Sequence, residues 1–486
     1  MKTIAASLIL LLMLGASTAQ TILSLDDALK MAMENSPQII QAKLSLERVE
    51  QSLKAQQAAL KSNFSLTFNP FSYSHDRRFD RFNNVWYTSE NQASSADFRV
   101  SQPIIWTDGS FTLINRLQWQ EAWSEVQNQR NTTWSNNLYF NYSQPLFTYN
   151  RTKLALKELE LDFENTRLNY ILRRLALEYD VTSGFYEVYR AKLNHDISRE
   201  EYANTNNSYS IIKNKVDAGL AAKEELYQAE LNLLNSESKV QNNKVALENA
   251  LDGFKKLIGF PVLDSLNIIA DVTHQVVDID VDKAIREGLK NRLELRQRNI
   301  DIQSAYNSLI ETMAYNEFKG NLNLTYGIIG VNDAFDTMYD KPTKDRQASI
   351  SFDVPLFDWG ERRARIKASE AILESRQVSL DEEEDDIVIG IRQSGRQLSN
   401  LVKQIEIARQ NVKNADLTYQ INLERYENGD LTSMDLNLFQ IQLSDAKIQL
   451  TDSIINYKLA LLNLKIQSMF DFVRNEAVLP EDYLQN

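Results

Sequence analysis

The chain has 486 residues, of which 14 are glycine and 8 proline, so helix breakers are scarce against a usual share of roughly 12 %. Cysteine is absent, which excludes disulfide frameworks, thiol nucleophiles, thiolate metal sites and a lipid-modified N-terminal cysteine. A net charge of −13 argues against a nucleic-acid footprint, and His75, His195 and His274 lie too far apart in sequence to point to a metal or hydrolase centre.

At the N-terminus, Lys2 precedes an apolar run from Ile4 to Leu14 and the small residues Ser17-Thr18-Ala19. That order predicts a signal peptide over residues 1–19, because a membrane anchor needs roughly 18 apolar residues and this run stops sooner. The remainder is written twice, as a first repeat over 20–270 and a second over 271–470, followed by a tail at 471–486. Ser24-Leu25-Asp26-Asp27-Ala28-Leu29 recurs as Asp280-Val281-Asp282-Lys283-Ala284-Ile285, each a capping residue ahead of an apolar-periodic run. Ser143-Gln144-Pro145-Leu146-Phe147 recurs as Asp353-Val354-Pro355-Leu356-Phe357, and Asp217-Ala218-Gly219 as Glu427-Asn428-Gly429. Each repeat therefore reads helix, strand, strand, long helix, glycine turn, returning helix, the hairpins covering 152–258 and 361–470.

The strands alternate with period 2. Phe64, Leu66 and Phe68 alternate with Ser65, Thr67 and Asn69. Similar alternation surrounds Trp134 to Tyr142, Leu322 to Tyr326 and Ile350 to Val354. Each stretch reaches the about 9–11 residues that a tilted strand needs to cross an outer membrane. Proline lacks an N–H, so Pro145 and Pro355 mark where the second strand of each pair leaves the ladder. The first repeat carries a long additional loop at about 74–133. Within it, Phe98-Arg99-Val100-Ser101-Gln102-Pro103 and Phe111-Thr112-Leu113 flank the turn Thr107-Asp108-Gly109, read as a hairpin on the outer rim; six barrel strands per chain is the alternative. Four strands per chain cannot close a barrel, since known ones start at about 8 and an open edge does not survive in hydrocarbon. Several chains must share one barrel, and strand number alone allows a dimer or a trimer.

The long helices keep a 3.5-residue spacing without a slip. In the second repeat the seam runs Ile387, Ile391, Ser394, Leu398, Leu401, Ile405, Ala408, Val412, Ala415 and Tyr419, and in the first Leu177, Val181, Gly184, Val188, Ala191 and His195 onward. The returning helices agree, with Leu226, Ala229, Leu233 and Ser236 matched by Leu436, Phe439, Leu443 and Ala446. Such spacing means coiled-coil packing, and small seam residues let backbones approach closely. A helix of about 65 residues is roughly 100 Å long, suited to crossing a periplasm. His195 reads as seam packing, and Asp381-Glu382-Glu383-Glu384-Asp385-Asp386 as a solvated helix face.

This ordered, duplicated set of strings resembles the TolC family of outer-membrane efflux channels over nearly the whole mature chain. The strings that carry it are Ala28-Leu29 through Asn35-Ser36-Pro37, the two strand-to-helix exits, and Arg425-Tyr426-Glu427-Asn428-Gly429-Asp430-Leu431-Thr432-Ser433-Met434-Asp435-Leu436. The resemblance implies a mainly α fold with long coiled-coil hairpins forming an α-barrel, and four strands per chain contributing to a trimeric twelve-stranded β-barrel. It implies a homotrimer set in outer-membrane lipid and extending into the periplasm. Its partners would be a periplasmic adaptor (membrane fusion) protein and an inner-membrane transporter of RND, ABC or MFS type. Cargo would pass down a water-filled duct without chemistry or cofactor.

At the hairpin tips the resemblance puts Asp435 on a pore-constricting aspartate ring and Tyr426 on a constraining tyrosine, while Leu438 and Leu431 replace the second aspartate and the arginine. Thr432-Ser433-Met434-Asp435 also reads as a capping box, so Asp435 has two compatible roles. Glu225 is the matching acid of the first repeat, where Ala222 offers no cap. The turns Asp217-Ala218-Gly219 and Asn428-Gly429-Asp430 are the expected adaptor contacts. A secreted structural coiled-coil protein tethering envelope layers is the competing reading, and duplicated membrane-length strands argue against it.

Overall fold

A computed structural model describes residues 21–81, 84–125, 128–273, 275–428 and 430–478; the expected signal peptide, His274, Gly429 and the end of the expected tail lie outside these residues. The chain divides into two compact units. The first takes the chain up to Leu46, Arg167–Gln297 and everything from Asp381 on; the second takes Glu47–Thr166 and Arg298–Leu380. Both units draw on both repeats, because each helical hairpin packs on its own repeat's short helices while the strands of the two repeats join one sheet.

The helices of the first repeat are α1 (Leu25–Asn35), α2 (Pro37–Ala59), α3 (Arg151–Asp217) and α4 (Lys223–Ile258). Those of the second are α5 (Val281–Asn291), α6 (Leu293–Met313), α7 (Glu361–Glu427) and α8 (Ser433–Ser468). α3 and α7 have 67 residues each, α4 and α8 have 36 each, and both pairs are offset by 210 (361 less 151, 433 less 223). The starts obey the caps read from sequence. Ser24 Oγ accepts the Asp27 N–H at 3.2 Å, the Asp27 carboxylate accepts from the Ser24 hydroxyl at 2.7 Å, and Asp280 Oδ1 accepts the Lys283 N–H at 2.9 Å.

In the first unit the seams are buried. On α7, Ile387, Ile391, Ser394, Leu398, Leu401, Ile405 and Ala408 are buried, and Val412, Ala415 and Tyr419 are half-buried. They pack with Tyr457 and Leu464 of α8 and Ala284 of α5. The first repeat builds the equivalent cluster from Ala28 and Ala32 of α1, Leu177, Val181 and Phe185 of α3, and Phe254 and Ile258 of α4. The Phe185 and Phe254 rings meet edge to face at 6.0 Å. Each fully buried large side chain contributes about 1.5–3 kcal/mol, so these clusters rather than helix propensity hold the hairpins. Polar pins then set the helix order. Lys239 of α4 meets Glu201 of α3 at 2.7 Å, Lys465 of α8 meets Glu178 of α3 at 2.9 Å, and Ser394 of α7 donates to Gln467 of α8 at 2.8 Å. The row is α4-α3-α8-α7. Two short parallel strands, β1 (Thr21–Leu23) and β6 (Leu266–Ile268), tie the start of the first repeat to its end.

The second unit holds one antiparallel sheet in the order β2-β3-β4-β5-β7-β8. Its strands are β2 (Asn63–Asp80), β3 (Val85–Ile104), β4 (Gly109–Ser124), β5 (Gln129–Leu146), β7 (Lys319–Asn332) and β8 (Thr343–Asp353). The four expected strands lie in β2, β5, β7 and β8. In the segment expected as a long outer loop with a rim hairpin, the described residues form two further strands, β3 and β4, joined by a turn at 105–108, so the sheet of the chain has six strands where four were expected. β3 pairs with β2 from Ser101↔Asn63 to Val85↔Asp80, and with β4 from Ile104↔Gly109 to Ser89↔Ser124. The physical reason is that alternation from Ala96 to Ser101 and from Ser110 to Leu113 gives each inserted strand an apolar face in register with that of its neighbours. Helix portions in this unit are pinned by Glu158 of α3, whose carboxylate accepts from Ser304 and from the buried Asn307 of α6.

Candidate functional site

Two regions carry functional geometry, one in each unit. The first is the sheet. One face presents Phe64, Leu66, Phe68, Phe98, Phe111, Phe140, Leu324, Ile350 and Phe352, all substantially exposed. The pairing register places these residues side by side: Leu66 opposite Phe98, Phe111 opposite Tyr142, Phe140 opposite Tyr326, and Leu322 opposite Ile350. The Phe111 ring packs at a tilt against Tyr142 and Phe140, with centroids 4.8 and 5.5 Å apart. The opposite face carries Ser65, Thr67, Arg99, Arg116, Asn141, Asn323 and Ser349, with Arg116 donating to both Asp97 oxygens at 2.7 Å. An apolar sheet face left in solvent this broadly belongs against lipid, and a polar face behind it belongs against water. Among the described residues the outer strands β2 and β8 each have one unpaired edge.

The second region is where the two helical hairpins turn. α3 ends in a left-handed Gly219, φ 77°, and the Leu220 N–H closes the turn on Lys215 O at 2.8 Å. The equivalent bond in the second repeat runs from the Asp430 N–H to Arg425 O at 2.9 Å. Asp217 ends α3, Ala218 and Gly219 form its turn, Asn428 and Asp430 form the other turn, and Gly429 lies outside the described residues. Asp435 sits exposed in the first turn of α8, where its N–H donates to Thr432 Oγ1 at 3.2 Å and its carboxylate accepts from the Thr432 hydroxyl at 2.7 Å. Thr432 therefore caps α8 through its side chain, with Asp435 as the residue it caps. Glu225 sits exposed in the first turn of α4, which Ala222 leaves without a side-chain cap. Leu438, one turn after Asp435, is also exposed.

Tyr426 is different: it is only 3 % exposed, near the end of α7. Burial raises its phenol pKa, the nearby Ser208 and Ser433 hydroxyls act the other way, and the Glu225 charge adds to the rise. Among the described residues the hydroxyl has no hydrogen-bond partner of full geometry. Lys215 Nζ lies 5.6 Å from the ring centroid. The ring borders a cavity of about 150 Å³ to which all four hairpin helices contribute, including Thr205 and Ser208 of α3, Ala229 and Asn232 of α4, Tyr419 and Leu423 of α7, and Leu436 and Gln440 of α8. Asn204 donates to Gln440 across it at 3.1 Å. Sequence periodicity marked Thr205, Ala229, Tyr419 and Leu436 but missed Asn204, Ser208, Asn232 and Gln440, which lie off the seam. The tips are thus polar and incompletely filled, the packing expected of a locally weak region.

Residues 284–465 match the sequence profile of the family described as outer membrane efflux protein. No curated protein sequence matches the chain. Among solved structures the chain is similar to the CmeC outer membrane channel of Campylobacter jejuni, with TM-score 0.70, 14 % identity, and 95 % of this chain and 88 % of that one covered. It is likewise similar to the outer membrane protein VceC of Vibrio cholerae, with TM-score 0.65 and 13 % identity over 91 % and 94 % of the two chains. For the MtrE outer membrane channel of Neisseria gonorrhoeae, in its open state, the values are 0.66, 12 %, 92 % and 89 %. The second repeat thus resembles the outer membrane efflux protein family over residues 284–465, and the whole chain has the fold of these outer-membrane channels.

Proposed function

We propose that the chain is the outer-membrane channel-tunnel of a tripartite efflux or secretion system, passively carrying substrates from a periplasmic adaptor and inner-membrane transporter to the exterior. The observation that carries this reading is the amphipathic sheet with, among the described residues, an unpaired edge on both β2 and β8. Unpaired backbone cannot remain in hydrocarbon, so β8 of one copy must meet β2 of the next until a ring closes. The helical row supports the same closure. Its two outer members, α4 and α7, expose Tyr227, Leu231 and Leu234 on one side and Ile407, Leu417 and Ile421 on the other. A homotrimer fits, and a tethering protein would need neither the lipid face nor the open edges.

The turns Asp217-Ala218-Gly219 and Asn428-Gly429-Asp430 are the proposed adaptor contacts. Purified in detergent, the mature chain is expected at three times its own mass. In cells, cysteines at Ala218 or Asn428 are expected to crosslink to the adaptor. A folded monomer, or labelling of these cysteines from outside intact cells, would overturn the reading.

Asp435, Glu225 and Tyr426 are the proposed constriction. Three copies would bring six exposed carboxylates around one axis, and a pore walled by protein screens them less than bulk water does. Asp435→Asn is expected to reduce cation selectivity and block by trivalent cations in single-channel recordings while the trimer persists. Unchanged conductance and block, with stability lowered by about 0.3–1 kcal/mol for the lost charge at the helix N-terminus, would leave Asp435 with a role at the helix start only. Leu438→Asp is expected to strengthen the block, because Leu438 is exposed one turn further along α8.

A further inference from the structure

We propose that β3 and β4 are a second copy of the wall hairpin, so that three chains close an eighteen-stranded barrel whose exit passes cargo as wide as a solvated polypeptide helix. The inference rests on the trimeric channel proposed above and concerns what that channel can pass.

Four observations support it. The pairing is continuous, and two full strands separate β2 from β5, whereas a rim hairpin would leave those two strands to pair directly. The sequence repeats within the insertion: Phe64-Ser65-Leu66 recurs as Phe111-Thr112-Leu113, and Val100-Ser101-Gln102-Pro103 as Tyr142-Ser143-Gln144-Pro145. The two glutamines make the same bonds. Gln102 Nε2 donates to Leu60 O at 3.2 Å and to Pro103 O at 2.6 Å. Gln144 Nε2 donates to Thr107 O at 2.6 Å and to Pro145 O at 2.8 Å. Leu60 and Thr107 stand in the same place ahead of β2 and β4, since 107 less 60 equals 111 less 64.

The fourth observation concerns the faces. The inserted strands put Phe98, Val100, Phe111, Leu113, Leu117 and Trp119 on the apolar face of the sheet, and Asp97, Arg99, Arg116 and Gln118 on the polar one. From Phe111 to Trp119 this face of β4 spans nine residues, apolar except at Asn115, the length of one tilted membrane crossing. Beyond it the same face turns charged, with Glu121 paired to Arg130 at 2.9 Å, as it would on reaching water. A hairpin lying on the rim has no use for a lipid band of membrane height.

Strand number then sets the bore. With strands about 4.8 Å apart and tilted about 40°, the backbone radius is about 12 Å for twelve strands and about 18 Å for eighteen. Lining side chains take up roughly a third to a half of those radii. A helix about 10–12 Å across with a shell of water clears only the wider bore.

The test compares the full chain with a variant lacking residues 84–127, in which β2 and β5 become neighbours. Both are first weighed in detergent, so that a failure to trimerise is read separately from a failure to widen. Polyethylene glycols of graded size are then added on the exterior side of single channels in a planar bilayer. The largest polymer that enters is expected to have about twice the hydrodynamic radius for the full chain as for the shortened one. Equal cut-offs from two trimers would overturn the proposal. Should the shortened chain fail to fold, the full chain still decides, because it has no native cysteine. Ser95→Cys, on the polar face, is expected to react with a charged water-soluble thiol reagent in the reconstituted channel, and its neighbour Ala96→Cys to be protected. Equal labelling of the two would place the hairpin outside the wall and overturn the proposal.

Discussion

Replacing Tyr457 with alanine is expected to destabilise the first unit by about 3–5 kcal/mol, the range for deleting a large buried aromatic side chain. Tyr457 is 1 % exposed and packs with Ile391, Leu398, Ile405 and Leu464, so its loss opens a cavity between α7 and α8 that rigid helices close only partly. Its hydroxyl also accepts the Val277 N–H at 3.0 Å and donates to Gln275 O at 3.2 Å, fixing the segment that leads into α5. Tyr457→Phe keeps the packing and leaves those two backbone groups unmet, so it is expected to cost about 1–3 kcal/mol. Denaturant unfolding at a fixed protein concentration separates the two, since assembly couples stability to concentration. A Tyr457→Ala loss below about 1 kcal/mol would show that the cluster does not hold the hairpin.

Gly259→Ala is expected to be comparably damaging, at about 3 kcal/mol or more. Gly259 ends α4 at φ 73°, a left-handed conformation that costs a residue with a Cβ roughly 1–2 kcal/mol. A Cβ there would also stand 2.2 Å from the backbone oxygen of Asn35, the last residue of α1, and backbone cannot move aside as a side chain tip can. Gly219 supplies the control. It has a similar φ, 77°, but open space around it, so Gly219→Ala is expected to carry only the conformational cost. Thermal melting of both variants checks the difference, and equal losses would mean that the α1–α4 approach yields more readily than its geometry indicates.

Position 469, which lies 210 residues after Gly259, shows where reading by repeat stops. The second repeat makes the same left-handed helix end with Met469, φ 51°. Its side chain is buried with Ile171, Leu175, Leu293 and Val478, a cluster without an equivalent glycine-based arrangement in the first repeat. A strained non-glycine residue persists when surrounding packing over-determines it, and that packing is assembled from segments nearly 300 residues apart. No local pattern announces it.

The long hairpins, their seams and four of the strands were legible because each depends on a short-range period, 3.5 residues on the helices and 2 on the strands, and the starts of α1, α5 and α8 on a local cap residue. Amphipathic patterning states which side of an element is buried, and duplication states it twice. Only the tertiary structure decided what each buried side meets. β3 and β4 carry an alternation that the sequence reading assigned to a rim hairpin ahead of a wall, since period 2 does not say which strand pairs with which. β1 and β6 are three residues each, too short for any period, and exist because their parallel pairing closes the first repeat. The buried Tyr426 hydroxyl and the polar cavity beside it arise where four helices converge, so they follow from the spacing between helices and not from the pattern along any one of them.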